Sequence, residues 1–374
     1  MNNCLTRNDC RVVLLILFLF ITIPILALNT SDTRTINVTT AGKLSTLLPQ
    51  NERGYVVNLT LTGKLNGTDF NILRTMATDQ KLQVLDLSGA NIVSGGESYY
   101  SNYGTDYYTK NNEFGYSLFN GCKKIQKLVL PNSIVTIGQC AFWYCTSLKT
   151  LVIGSKVTTI KPGLWGGCRL LTDVQINNNS NFHLTNGILY NKDNSTIIAA
   201  LQTWNYGNLT IRSGVKDIQY NAFAFCSDLT SVSFPSSVTT IGDTAFEYTG
   251  ITSVNFTSSI TSIGSFAFSG CKSLKDVDLT PLKVTSLAYG LFMTSEIEIV
   301  YLPQTLKELK QAVFSGTPLK HIFAYTATPA TMYDSTTSSP TFNGVDKENC
   351  VVHVPQGRVN TYKAAAGWKE SYNS

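Results

Sequence analysis

Gly115–Ile137 reads GYSLFNGCKKIQKLVLPNSIVTI, Gly138–Ile160 reads GQCAFWYCTSLKTLVIGSKVTTI, and Gln219–Ile241 reads QYNAFAFCSDLTSVSFPSSVTTI. Each stretch has 23 residues and the three align without a gap. Gly242–Ile263, Gly264–Leu287 and Ala288–Leu309 repeat the pattern with one residue lost or gained, a further unit opens at Lys310, and Lys161–Ile176 is a partial copy. The shared core is A-F-x-x-C-x-x-L-x-x-L-x-L-P-x-x-V-x-x-I. A fixed period of this length marks a solenoid, in which each unit buries its apolar face only against its neighbours.

The unit contains its own physics. In Leu148–Ile153, Leu151 and Ile153 alternate with Thr150 and Val152, the period of a strand with one buried face. Stacked coils then pair these strands in parallel. The preceding Ala-Phe segment turns the chain, and Phe119, Phe142, Phe223, Phe246, Phe268, Phe292 and Phe314 are expected to form an interior ladder. Pro131, Pro235 and Pro303 fall just past the strand, where no ladder donor is needed. Short stretches such as Val238–Ile241 give each coil another side.

These residues resemble the BspA-like, Treponema-type leucine-rich repeat of bacterial surface proteins, over about residues 56–330. Leu59–Leu65 and Leu82–Ile92 look like the family's opening coils, and Cys350–Trp368 looks like its strand-plus-helix ending. In that ending Val352 and Val354 alternate, while Val359, Tyr362 and Ala366 follow helical spacing. The expected fold is an α/β, β-rich leucine-rich repeat solenoid at residues 56–330, between an N-terminal cap (29–55) and a C-terminal cap (331–374). Eleven strand positions can be counted, near Leu59, Leu85, Leu128, Leu151, Val174, Leu209, Val232, Val254, Val277, Val300 and Ile322. At ~4.8 Å per parallel neighbour such a stack spans roughly 50 Å.

Two insertions interrupt the period. Residues 93–113 carry Tyr99, Tyr100, Tyr103, Tyr107 and Tyr108 among Gly, Ser and Asn. Exposed tyrosine offers contact area at small entropic cost; a loop packed on itself is the other reading. Residues 177–208 contain Gly187–Tyr190 and Thr196–Leu201 about a polar turn, which predicts a β-hairpin projecting as an outward ribbon.

Composition excludes several function classes. Only 14% of residues are charged, where about a quarter is usual. The 29 Lys and Arg against 24 Asp and Glu leave +5, too little and too scattered for a nucleic-acid binder. Arg7 and Arg11 precede the apolar run Val12–Leu28, with Ala27 near its end: a secretory signal peptide over 1–28, cut near Ala27, rather than an uncleaved anchor. The mature chain has no second apolar run and is expected to be secreted or at the cell surface. The sequons at Asn37, Asn58, Asn66, Asn178, Asn194, Asn208 and Asn255 matter only in a glycosylating host.

Of the 9 cysteines, Cys122, Cys145, Cys168, Cys226 and Cys271 share one repeat position, three after the turn Phe (Trp165 in the third), where Thr249, Ser295 and Thr317 stand in other units. Small weak donors suit a tight buried turn, so the five read as a structural ladder rather than as bridges or zinc ligands. Cys140 and Cys350 lie off it.

Alternation also identifies the outward strand positions. The middle of that face is small and polar, whereas Ile299, Tyr301, His321 and Phe323, with Tyr325 nearby, cluster at the C-terminal end. This cluster is a candidate ligand anchor, unless the C-terminal cap lies over it. Asp276 and Asp278 share a face, but no third acid, base or metal ligand converges on them. Phosphate-loop, zincin and serine-hydrolase motifs are absent from the sequence. No catalysis, no cofactor and a monomeric chain are therefore expected. The resemblance implies adhesion to host matrix or plasma proteins or to other cells. A glycan-binding or carbohydrate-active solenoid is the alternative, with Trp143, Trp165 and Trp204 able to stack on sugars.

Overall fold

Leu151 and Ile153 are fully buried and Thr150 and Val152 half-exposed, so Thr150–Ile153 is the one-faced strand its alternation requires. It pairs in parallel with Lys127–Val129 on one side and Asp173–Ile176 on the other, one repeat away in each direction. A computed structural model describes residues 32–333 and 340–368. The expected signal peptide lies outside them. Among the described residues this strand face comprises sheets of six, three and four strands, thirteen in all. The expected eleven is therefore short by two. Thr33–Val38 pairs with Asn58–Leu65, and Val351–His353 pairs with His321–Phe323. Both extra strands come from segments read as caps, because a cap that must satisfy the backbone of the last coil does so most directly as one more strand.

The opposite wall is unlike a β-sheet. In each turn two residues with left-handed φ flank the buried Phe, two before and two after it. The pairs are Ser117 and Gly121, Cys140 and Tyr144, Asn221 and Phe225, Thr244 and Tyr248, Phe266 and Gly270, Gly290 and Thr294, and Ala312 and Gly316. This geometry points every second N–H at the next coil. Cys140, Phe142 and Tyr144 donate to the carbonyls of Pro162, Leu164 and Gly166, and Asn221, Phe223 and Phe225 donate to Asp243, Ala245 and Glu247. A left-handed residue other than Gly costs about 1–2 kcal/mol. Four coils place Gly (121, 167, 270, 316) at the second position, but Tyr144, Phe225, Tyr248 and Thr294 occupy it elsewhere.

Behind this wall the Phe side chains stack. Phe223, Phe246 and Phe268 lie 5.2 Å apart and within 4° of parallel, and the column continues through Phe292 and Phe314. It then reaches Phe342, which sequence reading had left in the cap. The signal was present, since Thr341-Phe342-Asn343-Gly344 repeats the turn pattern and Gly344 is left-handed.

The second insertion is a three-stranded antiparallel meander, Phe182–Thr185, Ile188–Asn191 and Thr196–Ala200. Its last strand joins the short-strand side of the stack beside Asp217–Ile218. The expected hairpin is there, but it is not an outward ribbon. Leu189, Ile198, Ala199 and Leu201 face the N-terminal core, while Ile188, Tyr190, Ile197 and Ala200 face the C-terminal core. Both faces are apolar, so the ribbon is drawn in as a partition. Trp165, in place of the turn Phe, donates its indole N–H to Ala200 O.

The N-terminal end carries a helix, Gly67–Thr78, that sequence reading missed. Asn66 and Asp69 form a capping box, and Phe70, Leu73, Met76 and Ala77 are buried. Buried Asp69 also accepts from Gly42, Leu44 and Asn66 N–H, tying the entry loop to the helix start. At the other end a helix spans Val359–Ala364. Tyr362 and Trp368 are buried, but Val359 and Ala366, grouped with Tyr362 by spacing, are exposed, because the helix ends before Ala366 and Trp368 closes the core instead. Among the described residues no helix is long and apolar enough to cross a membrane.

The Phe column makes a mutational prediction. Phe246→Ala, at 0% exposure between two stacked rings, should lower unfolding free energy by about 3–5 kcal/mol in chemical denaturation. A loss below about 1 kcal/mol would show that the column is not a stabilising element.

Candidate functional site

In the parallel register Asp278, Tyr301, Phe323 and His353 form one outward row, and Asp276, Ile299, His321 and Val351 form the next. Among its described residues the C-terminal cap adds a strand beside the aromatic cluster rather than lying over it. Tyr301 and Phe323 stack at 4.6 Å, and Phe323 and His353 at 4.2 Å and 5°. His353 was missed by sequence reading, although the alternation of Val352 and Val354 already turned it outward. His321 Nδ1 lies 3.2 Å from His353 Nε2, so one imidazole donates to the other. Burial, and then the neighbouring His321, push His353 below its ordinary pKa of 6.5. Tyr301, His321, Phe323 and His353 are all half-exposed, as is Ile299. Tyr325 is separate: it is exposed and lines another cleft with Thr305 and Lys307.

One margin of this patch is charged. Glu298 sits between Lys275 and Lys320 on adjacent coils, and Glu296 pairs with Lys272 and Lys275. Hydrogen bonds from the two flanking lysines hold the Glu298 carboxyl below its usual range. Asp276 and Asp278 are exposed, and Asp278 Oδ1 accepts from Thr280 N and Oγ1, which ends the strand. Among the described residues no three His, Cys, Asp or Glu side chains converge as a metal site.

The tyrosine insertion is a hairpin, Gly95–Asn102 with Thr105–Thr109, closed by Tyr103 and Gly104 at positive φ. It does not gather its five tyrosines on one surface. Tyr99 is buried and its hydroxyl donates to Tyr116 O, and Tyr107 stacks on Tyr116 at 4.3 Å. Arg74 lies over the Tyr100 ring. Only Tyr103 and Tyr108 project.

Cys122, Cys145, Cys168, Cys226 and Cys271 are all buried. Cys145 and Cys168 donate to the Phe carbonyl of the preceding coil, Phe119 and Phe142, each at 3.0 Å. Ser295 and Thr317, with shorter reach, donate instead to their own coil's Phe292 and Phe314. Burial raises the Cys122 thiol to about 12 and Cys271 to about 11, so these groups stay protonated.

A family model described as the BspA type leucine-rich repeat region matches residues 106–200 and 199–320, with six copies. The pneumococcal vaccine antigen PcpA has a similar structure: TM-score 0.54, 16% identity, 82% of this chain and 76% of that one covered. A leucine-rich cell surface protein of Faecalibacterium prausnitzii aligns with TM-score 0.51 and 16% identity over 87% of this chain and 85% of that one. No curated protein matches the chain.

Two outcomes follow for solution measurements. An unfolded chain binds a proton at His353 more readily than the folded one, so His353 makes stability rise with pH through 6.5 and fall as pH drops below it. His353→Gln should flatten that part of the melting-temperature profile; an unchanged slope refutes the assignment. A chain beginning after Ala27 should show its seven cysteines unreactive to a thiol reagent at pH 8 and all reactive once unfolded. Recovery of fewer than seven thiols would mean that bridges form.

Proposed function

Because the chain belongs to the BspA-type leucine-rich repeat family, we propose that it is an exported cell-surface or secreted protein that binds other proteins. Its partners are extracellular: host matrix or plasma proteins, or components of other cells. The observation carrying this reading is the stacked row Tyr301–Phe323–His353, three half-exposed rings in register on an open sheet face. Flat aromatic groups held rigid by a sheet lose little entropy on contact, and such residues dominate protein interfaces. The charge ladder around Glu298 gives the patch a polar rim. We read the chain as a binding protein and not an enzyme, since among the described residues no metal-ligand group converges on the exposed pair Asp276 and Asp278.

The test is a binding panel of immobilised matrix and plasma proteins. Tyr301→Ser with Phe323→Ser should abolish retention of any bound partner. Each change should cost stability no more than about 1.5 kcal/mol, the scale of an aromatic pair beyond its buried area. Undiminished binding by the double variant would move the site elsewhere.

A further inference from the structure

We propose that a second site, on the turn wall rather than the strand face, binds an acidic saccharide. A cleft of about 580 Å³ opens there, lined by Tyr144, Arg169, Gln202, Phe225, Ser227 and Tyr248. It lies where the meander interrupts the stack: Arg169 follows the last cysteine before the insertion, and Gln202 follows its final strand.

Three observations converge on it. The first is the aromatic residues themselves. Tyr144, Phe225 and Tyr248 occupy the left-handed position that other coils give to Gly. That strain arises wherever the position is not Gly, at Thr294 as well as here. Tyr144 is 39% exposed and Tyr248 48%, so burial does not offset it. The neighbouring coils also make room for these rings. A Cβ on Gly167 would come within 2.7 Å of the Tyr144 ring, and one on Gly270 within 2.5 Å of Tyr248. Phe225 and Tyr248 stack at 5.4 Å, while Tyr144 meets Phe225 edge-on at 6.1 Å, giving walls of two orientations.

The second is an unpaired cation. Arg169 is exposed and its guanidinium makes no hydrogen bond or ion pair with a described residue. A guanidinium fork matches a carboxylate. The third is unmet hydrogen bonding. Gln202 donates to Ala224 O at 3.1 Å, but its Oε1 is buried without a partner, and Ser227 Oγ makes no hydrogen bond with a described residue.

Carbon–hydrogen faces against aromatic walls, hydroxyls on an amide and a serine, and a carboxylate on arginine together describe a sialic or uronic acid residue. A peptide fits less well. The backbone donors of Tyr144 and Phe225 already bond to Gly166 and Glu247, so the wall offers no edge to an added strand.

The full mature chain should be titrated calorimetrically with 3′-sialyllactose and with a hyaluronan oligosaccharide, which distinguish the two acid classes, and with neutral lactose. Saturable binding of one acidic probe and none of lactose is expected. Arg169→Gln should weaken it about ten- to hundredfold. Tyr144→Gly and Tyr248→Gly should each weaken binding several-fold, because each removes one aromatic wall of the cleft. Tyr301→Ser should leave saccharide binding intact. The proposal is overturned if neither acidic probe binds, if lactose binds equally, or if the Arg169 variant or both glycine variants bind normally.

Discussion

The hydrogen bonding between successive turns is the constraint on which the molecule depends. A strand face alone closes one side of a solenoid, and the chain must return without leaving buried backbone groups unpaired. Two left-handed residues around each Phe turn alternate N–H groups toward the following coil. The turn wall thereby becomes a second hydrogen-bonded ladder, built from a backbone conformation unfavourable for most residues. The stacked Phe column and the buried cysteine, serine and threonine donors stabilise it from within.

The meander reorganises this ladder. It divides the apolar interior into two clusters, and Trp165 spans the junction through its bond to Ala200 O. The front sheet ends at Asp173–Ile176 and resumes at Gly207–Thr210. A perfectly regular stack offers ridges but few concavities. A cleft lies beside the break, lined by three aromatic residues held at left-handed φ.

The two candidate surfaces differ in physical kind. The C-terminal row presents stacked rings on a flat sheet face with charged margins, suited to broad protein contact. The turn-wall cleft is concave and lined by aromatic rings, Arg169, Gln202 and Ser227, the features on which the saccharide proposal rests. A rigid solenoid can carry both, since each depends on only a few neighbouring coils.

The repeat period, the strand alternation and the Phe column were all legible in the sequence. Each is a local pattern copied many times, so stacking geometry follows from the copies themselves. The outward positions of Tyr301, His321 and Phe323 were legible for the same reason. The terminal strands, His353's place in the aromatic row and the inward meander became apparent only in the tertiary structure. These depend on what the final coil needs to cover it, and on which of two apolar faces finds a core, neither of which is stated by a segment's own spacing. The cleft was hidden more deeply: Tyr144, Phe225 and Tyr248 share a repeat position in sequence, but only the fold gives them left-handed φ and brings Arg169 and Gln202 across the gap left by the insertion.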